Sequence, residues 1–170
     1  MIKEIIAKAL SDQLNMELYS SYLYLSMSAD AEQIGFKGAA NWLFIQAREE
    51  MAHAAYIYRH ILERQTTPVF SDVKAPETTF KTINDIFDSV LKHEKKVTGS
   101  INNLASLAMK ENDHASYNFI MWYVNEQIEE EANASEILTR INMIGDNPDL
   151  LYSLNTELAA RVFHHPFPEQ

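Results

Sequence analysis

The sequence predicts an all-α protein: a four-helix bundle with a long crossover between its second and third helices and a short fifth helix at the C-terminus. Three observations carry that expectation. Apolar residues recur at three- and four-residue steps over long stretches, with no period-two strand signal of any length. The breaks between those stretches are few and fall where glycine, proline or a capping side chain stands. One connection, near residues 65–81, is far too long for a turn, whereas its neighbours are short.

The first helix, α1, is expected near 2–34. Its opening, MIKEIIAKALSDQL, lacks a compact apolar stretch followed by a small-residue cleavage site, so it reads as the start of an amphipathic helix. Gly35 and Gly38 bracket the turn into α2, near 38–64, and Pro68 and Pro76 sit in the long connection. Thr82 with Asp85 supplies a capping box for α3, near 82–111, and Asp113 a cap for α4, near 114–145. Asn147 caps α5, near 148–163, with Pro148 at its first position.

Loop length then sets the topology. The short α1–α2 and α3–α4 connections make antiparallel hairpins. A helix of about 27 residues is roughly 40 Å long, and about 15 extended residues reach about 50 Å. The crossover can therefore run the length of the bundle, leaving α2 and α3 parallel on a diagonal and every neighbouring pair antiparallel. The whole chain, 1–170, is expected to form one domain.

Composition narrows the function. No apolar run approaches the roughly 18 residues a membrane span needs, and a formal charge of −10 with no basic tail argues against nucleic acid. The absence of cysteine excludes disulfides and thiolate metal sites. A cytoplasmic location is expected, and an acidic chain suits cation traffic.

The inward stripes hold the chemistry. On α3 the stripe is Ile83, Phe87, Val90, Glu94, Val97, Ile101, Leu104 and Ala108, apolar except for one central glutamate. On α4 it is Ile120, Tyr123, Gln127, Glu130, Ala134, Ile137, Ile141 and Ile144, and on α1 Leu10, Leu14, Glu17, Ser21 and Tyr24. In α2 the segment QAREEMAHA puts Glu50 and His53 on one side with Leu43, Gln46 and Ile57. Each helix thus places ligand-type residues mid-length on its buried face. Burying one unpaired carboxylate costs several kcal/mol, against a domain stability of about 5–15 kcal/mol. Four convergent carboxylates beside one imidazole therefore call for bound cations, and oxygen-rich ligation with a single His suits iron better than zinc. The di-iron pattern of helix bundles has single glutamates on two helices and Glu-x-x-His on the other two. Glu17 and Glu94 match the singles and Glu50-x-x-His53 one pair, while α4 departs with Gln127-x-x-Glu130.

Taken together, NMELYSSYLY (15–24), AREEMAHA (47–54), KHE (92–94) and NFIMWYVNEQIEEE (118–131) resemble the prokaryotic non-haem ferritins, over nearly the whole chain. The resemblance implies an iron-storage ferroxidase in a hollow cage of twenty-four subunits, with α5 near the four-fold axes and Fe(II) and O2 or H2O2 as substrates. By position, Glu17, Glu50 and His53 would hold a first iron. Glu50, Glu94 and Glu130 would hold a second, with Glu50 bridging, Gln127 close by and Tyr24 beside the centre. Glu49, Glu126 and Glu129, with Glu130, match a third iron site. Helix geometry points the same way. Glu49, Glu126 and Glu129 each precede a stripe residue by one, a rotation of about 100°, and equal rotations on antiparallel neighbours converge on one side.

Other readings come from other classes. Met51 precedes His53 by two residues, a setting similar to the haem-ligand context of the bacterioferritins. That family needs Glu-x-x-His on α4, however, and Gln127-x-x-Glu130 fails it; no haem is expected, and Met51 reads as a packing residue. A rubrerythrin-like peroxidase needs cysteines for its second iron, and DNA-protecting mini-ferritins lack a fifth helix. A non-catalytic iron-buffering cage is the alternative outside enzymes. His164 and His165 lie in a tail that reads as solvated, and Glu111, Asp113 and His114 at the α3–α4 turn support no role by sequence alone.

Overall fold

The computed structural model describes residues 2–76 and 79–167. Its elements are α1 (Glu4–Gln33), α2 (Lys37–Glu63), α3 (Ile83–Lys110), α4 (His114–Ile144) and α5 (Pro148–Leu158), with no strand among the described residues. The expected caps form. Thr82 and Asp85 make a reciprocal capping box, Asp113 accepts from the Ser116 amide, and the Asn147 side chain accepts from Asp149 and Leu150.

Cross-helix bonds fix the arrangement. Lys3 reaches Glu111, Ser100 donates to Gln13, and Ser20 meets His93, so α1 and α3 are antiparallel neighbours. On the other side, Gln46 bonds Glu130, the Tyr123 hydroxyl donates to the His53 carbonyl, and Arg64 forks onto Asp113 at 3.1 Å, which makes α2 and α4 antiparallel neighbours. The crossover is tied along α1 by Ser11 and Asn15, which bond the backbone of Val69 and Ser71.

Two apolar clusters fill the bundle, one at each end. The first gathers Leu23, Met27, Leu43, Phe87, Val90, Ala134 and Ile137; the second gathers Leu10, Leu14, Ile57, Val97, Ile101, Ile120 and Tyr123. Between them each of the four long helices changes to polar residues: Glu17 and Ser20, Glu50 and His53, His93 and Glu94, Gln127 and Glu130, all buried. A polar layer therefore crosses the middle of an otherwise apolar core. On α1 the inward serine is Ser20; Ser21, placed on the stripe by sequence, is only half-buried and bonds the Ala47 carbonyl.

The structure departs from the expected elements at α5, which stops at Leu158 and not near 163. Leu154 and Leu158 are its last inward apolar side chains. Beyond them Asn41 of α2 bonds the Ala159 and Arg161 carbonyls, which draws the chain out of the helix and along α2. Met51 also differs: it is 49 % exposed, outside both clusters.

Candidate metal centre

Glu17, Glu50 and His53 each offer a ligand atom, and these atoms lie within 4.8 Å of one another. They are at most 3 % exposed. The trio forms because Glu50 and His53, one helical turn apart on α2, face Glu17 on α1 across a pair of tightly packed antiparallel helices. The His53 Nδ1 lies 3.5 Å from the Glu50 carboxylate. Two atoms of the trio, Glu17 Oε2 and His53 Nε2, are buried without a hydrogen-bond partner. A buried orphan of this kind costs about 1–3 kcal/mol. Carboxylate and imidazole donors held this close, with bonding capacity unused, form a donor set that a divalent cation would satisfy.

Glu94 and Glu130 border the trio but belong to no such group among the described residues. Glu94 is engaged by the Tyr24 hydroxyl on one oxygen and by Gln127 Nε2, at 3.1 Å, on the other. Glu130 accepts from Gln46 Nε2 at 2.9 Å, and the same amide donates to Glu50 at 2.9 Å. Of the outer carboxylates, Glu49 and Glu126 are half-buried, and Glu49 feels the charge of Glu126, whereas Glu129 is exposed. Glu49 is also ion-paired with Arg161.

Proton affinities follow from crowding. Burial, then the charge of Glu50, pushes the Glu17 carboxyl up to about 8. Burial and Glu50 likewise push Glu94 up to about 8, and burial with Glu94 and Glu50 raises Glu130 well above the carboxylate range. Glu50 is the exception. Burial would raise it too, but hydrogen bonding and charge from His53, with the Gln46 bond, hold it below the usual value. Burial opposes charging His53, yet bonding and charge from Glu50 and the pull of Glu17 lift it to about 10. Glu50 is thus the carboxylate kept ionised, and it sits at the centre of the group.

Sequence reasoning missed several supporting side chains. Gln13 donates to Glu17 at 2.7 Å, as Gln46 does to Glu50, and each glutamine lies four residues before its glutamate. That repeated Gln-x-x-x-Glu spacing on α1 and α2 is a readable signal. His93, buried beside Tyr19 and Tyr24, meets Ser20 at 2.8 Å on the other side of Glu94. Trp122 packs its ring 5.5 Å from the His53 imidazole.

Comparison with known proteins agrees with this geometry. Residues 7–144 match the ferritin-like domain family. The chain is 38 % identical over 158 residues to a probable bacterial non-heme ferritin-like protein of Haemophilus influenzae, covering 93 % of this chain and 96 % of that one. It is 37 % identical over 163 residues to a bacterial non-heme ferritin of Staphylococcus saprophyticus, covering 96 % and 98 %. Among solved structures, an engineered closed form of the Archaeoglobus fulgidus ferritin superposes with a TM-score of 0.95 at 40 % identity, covering 96 % of this chain and all of that one. An open-pore ferritin from the same archaeon gives 0.93 at 40 % identity, covering 95 % of this chain. With the family matched across four of its five helices and bacterial relatives matched nearly end to end, this chain belongs to the ferritin family, on its bacterial non-haem branch.

Proposed function

We propose that this chain is the subunit of a cytoplasmic iron store that oxidises Fe(II) within each subunit and holds the ferric product as mineral in a hollow cage of twenty-four copies. The observation that carries the reading is the Glu17–Glu50–His53 trio, buried in the polar layer with two orphaned atoms. Glu17, Glu50 and His53 hold one iron; Glu50, Glu94 and Glu130 hold the other, with Glu50 bridging and Gln127 positioning Glu94. Its low proton affinity suits Glu50 to that bridge, since it needs no deprotonation before binding. Glu94 and Glu130 exchange their bonds from Tyr24 and Gln46 for metal. Each Fe(II) gives one electron to O2, which with two protons becomes H2O2; if H2O2 is the oxidant, two electrons and two protons yield two waters. The ferric ions leave as hydroxide towards the cavity. Glu49, Glu126 and Glu129, with Glu130, take a third iron on that path.

The test is anaerobic addition of two Fe(II) per chain followed by O2, with ferric absorbance recorded in the parent and in Glu50→Ala. A fast phase is expected in the parent, falling by a hundredfold or more in the variant, as for an interaction made only at the reacting metals (about 3 kcal/mol). An undiminished fast phase in Glu50→Ala would sink the bridging role. A parent that binds Fe(II) but oxidises it no faster than buffer would be a non-catalytic iron buffer.

A further inference from the structure

After α5 the chain does not wander into solvent. It lies along the α2–α4 groove, over the side of the bundle that carries the metal centre. Asn41 bonds the carbonyls of Ala159 and Arg161 at 3.2 and 2.9 Å. The Arg161 guanidinium lies 4.3 Å above the Trp42 ring and pairs with Glu49. Arg48 covers the Phe163 ring at 4.1 Å. At the far end Phe167, 7 % exposed, stacks on Tyr56 at 3.7 Å and packs 4.3 Å from Trp122 and 6.1 Å from the His53 imidazole.

These anchors follow one line of α2: Asn41, Glu49, Tyr56. From 41 to 56 the helix rises about 22 Å. The eight steps from 159 to 167 reach about 26–29 Å when fully extended. The segment thus covers that rise even though it turns at Ala159–Ala160 and bends back at residues 166–167, where Phe167 bonds His165. Beneath it lie Glu49 and, one turn on, His53, whose Nε2 is buried with no partner. A metal-bound imidazole ordinarily gives its second N–H to a carbonyl, carboxylate or water; here aromatic rings surround it instead.

The positive charge at Glu49 has a particular meaning under the proposed third iron, on which this inference rests. A half-buried carboxylate beside Glu126 already has a cation, and that cation belongs to the chain itself. A guanidinium on a carboxylate oxygen competes with a metal ion for that oxygen and repels it as a like charge. We propose that Arg161–Phe167 is a strap closed over the metal centre, that Arg161 is the resident cation of the Glu49 site, and that an iron ion arriving at Glu49 displaces Arg161 and loosens the strap. With the strap loose, Phe167 no longer closes off His53, and the path from the paired irons past Glu49 and Glu126 opens. Binding of the third ion and opening of the strap are then coupled, and each favours the other by the same factor.

Trp42 reports on Arg161, and the chain has only one other tryptophan, Trp122. The full-length Trp122→Phe protein is titrated with Zn(II), which is redox-inert, and Trp42 emission is followed against bound ions. A change is expected as the third ion per chain binds, ending at the emission that Arg161→Ala has without metal. Arg161→Ala should bind that ion about tenfold more tightly, within the usual range of such couplings, and Arg161→Lys should fall between. Glu49→Gln should bind two ions and leave Trp42 emission where it began. A third ion that binds with unchanged Trp42 emission, and with affinity in Arg161→Ala within twofold of the parent, overturns the strap while leaving the third site standing. If neither the parent nor Arg161→Ala takes a third ion, the third site itself is wrong and the strap's role goes with it.

Discussion

The site's carboxylates share nearly the same burial yet differ in proton affinity, and the donors around each explain the difference. Glu50 has His53 and Gln46 to bond; Glu17 has one amide, with a free oxygen facing Glu50. Two carboxyls near 8 and an imidazole near 10 give the folded protein groups alone a higher proton load than the unfolded chain. The sign follows by linkage. Between about 6.5 and 8 the folded chain binds more protons than the unfolded one, at Glu17, Glu94 and His53 alike, so stability falls as pH rises. Chelator-treated protein should melt several degrees lower at pH 8.5 than at pH 6.5, and saturating Zn(II) should remove or invert that slope. A metal-free melting temperature that climbs over this interval would contradict the proton assignments. These candidate ligand residues are legible in sequence because a charge interrupts an apolar stripe. Gln46 and Gln13 do not stand out in the same way, since an amide on a buried face draws far less contrast than a carboxylate. Arg161 is invisible because its partner lies 112 residues away.

Helix starts differ in where their caps come from. Thr82, Asp113 and Asn147 cap their own helices, which is why those boundaries are readable. The α2 start has no such residue: Phe36 offers no side-chain bond. Its first amides, Gly38 and Ala39, donate instead to Asn155 of α5 at 2.8 and 3.1 Å. Only glycine allows that approach, because a Cβ at Gly38 would stand 1.7 Å from the Asn155 carbonyl oxygen. Gly38→Ala should therefore push α5 off the bundle. Asn155→Ala, which loses the cap alone, should cost about 1 kcal/mol. Thermal melts of the two variants should separate clearly, with Gly38→Ala the more damaged; equal losses would mean that the contact carries no more than its hydrogen bonds. The same docking explains why sequence spacing makes α5 too long. Ala159, Ala160 and Arg161 suit a helix locally, and what ends it is α2, which that spacing does not reveal.

At the scale of the molecule, loop lengths show that α2 and α3 can run parallel, because a long crossover reaches from one end of the bundle to the other. The tail reads as solvated in sequence, since seven residues rich in histidine and proline show no periodicity. The division of the core into two apolar clusters is implicit in the stripes, but its consequence belongs to motion. A core of this kind has two separate sources of cohesion, with a hydrogen-bonded polar layer between them in which Glu17 Oε2 and His53 Nε2 lack a partner. Ordinary helices open first at their ends and last at their centres. Here the order should invert in chelated protein: amides near Glu17, Glu50, Glu94 and Gln127 should exchange with deuterium sooner than those near Leu10, Leu43, Ile101 and Ile137. Adding Zn(II) should restore the usual order by joining the two halves into one cooperative unit. Slow exchange at mid-helix without metal would mean that the ends already hold the middle shut. Otherwise a metal bound in the polar layer would also be the clasp that makes the bundle one body.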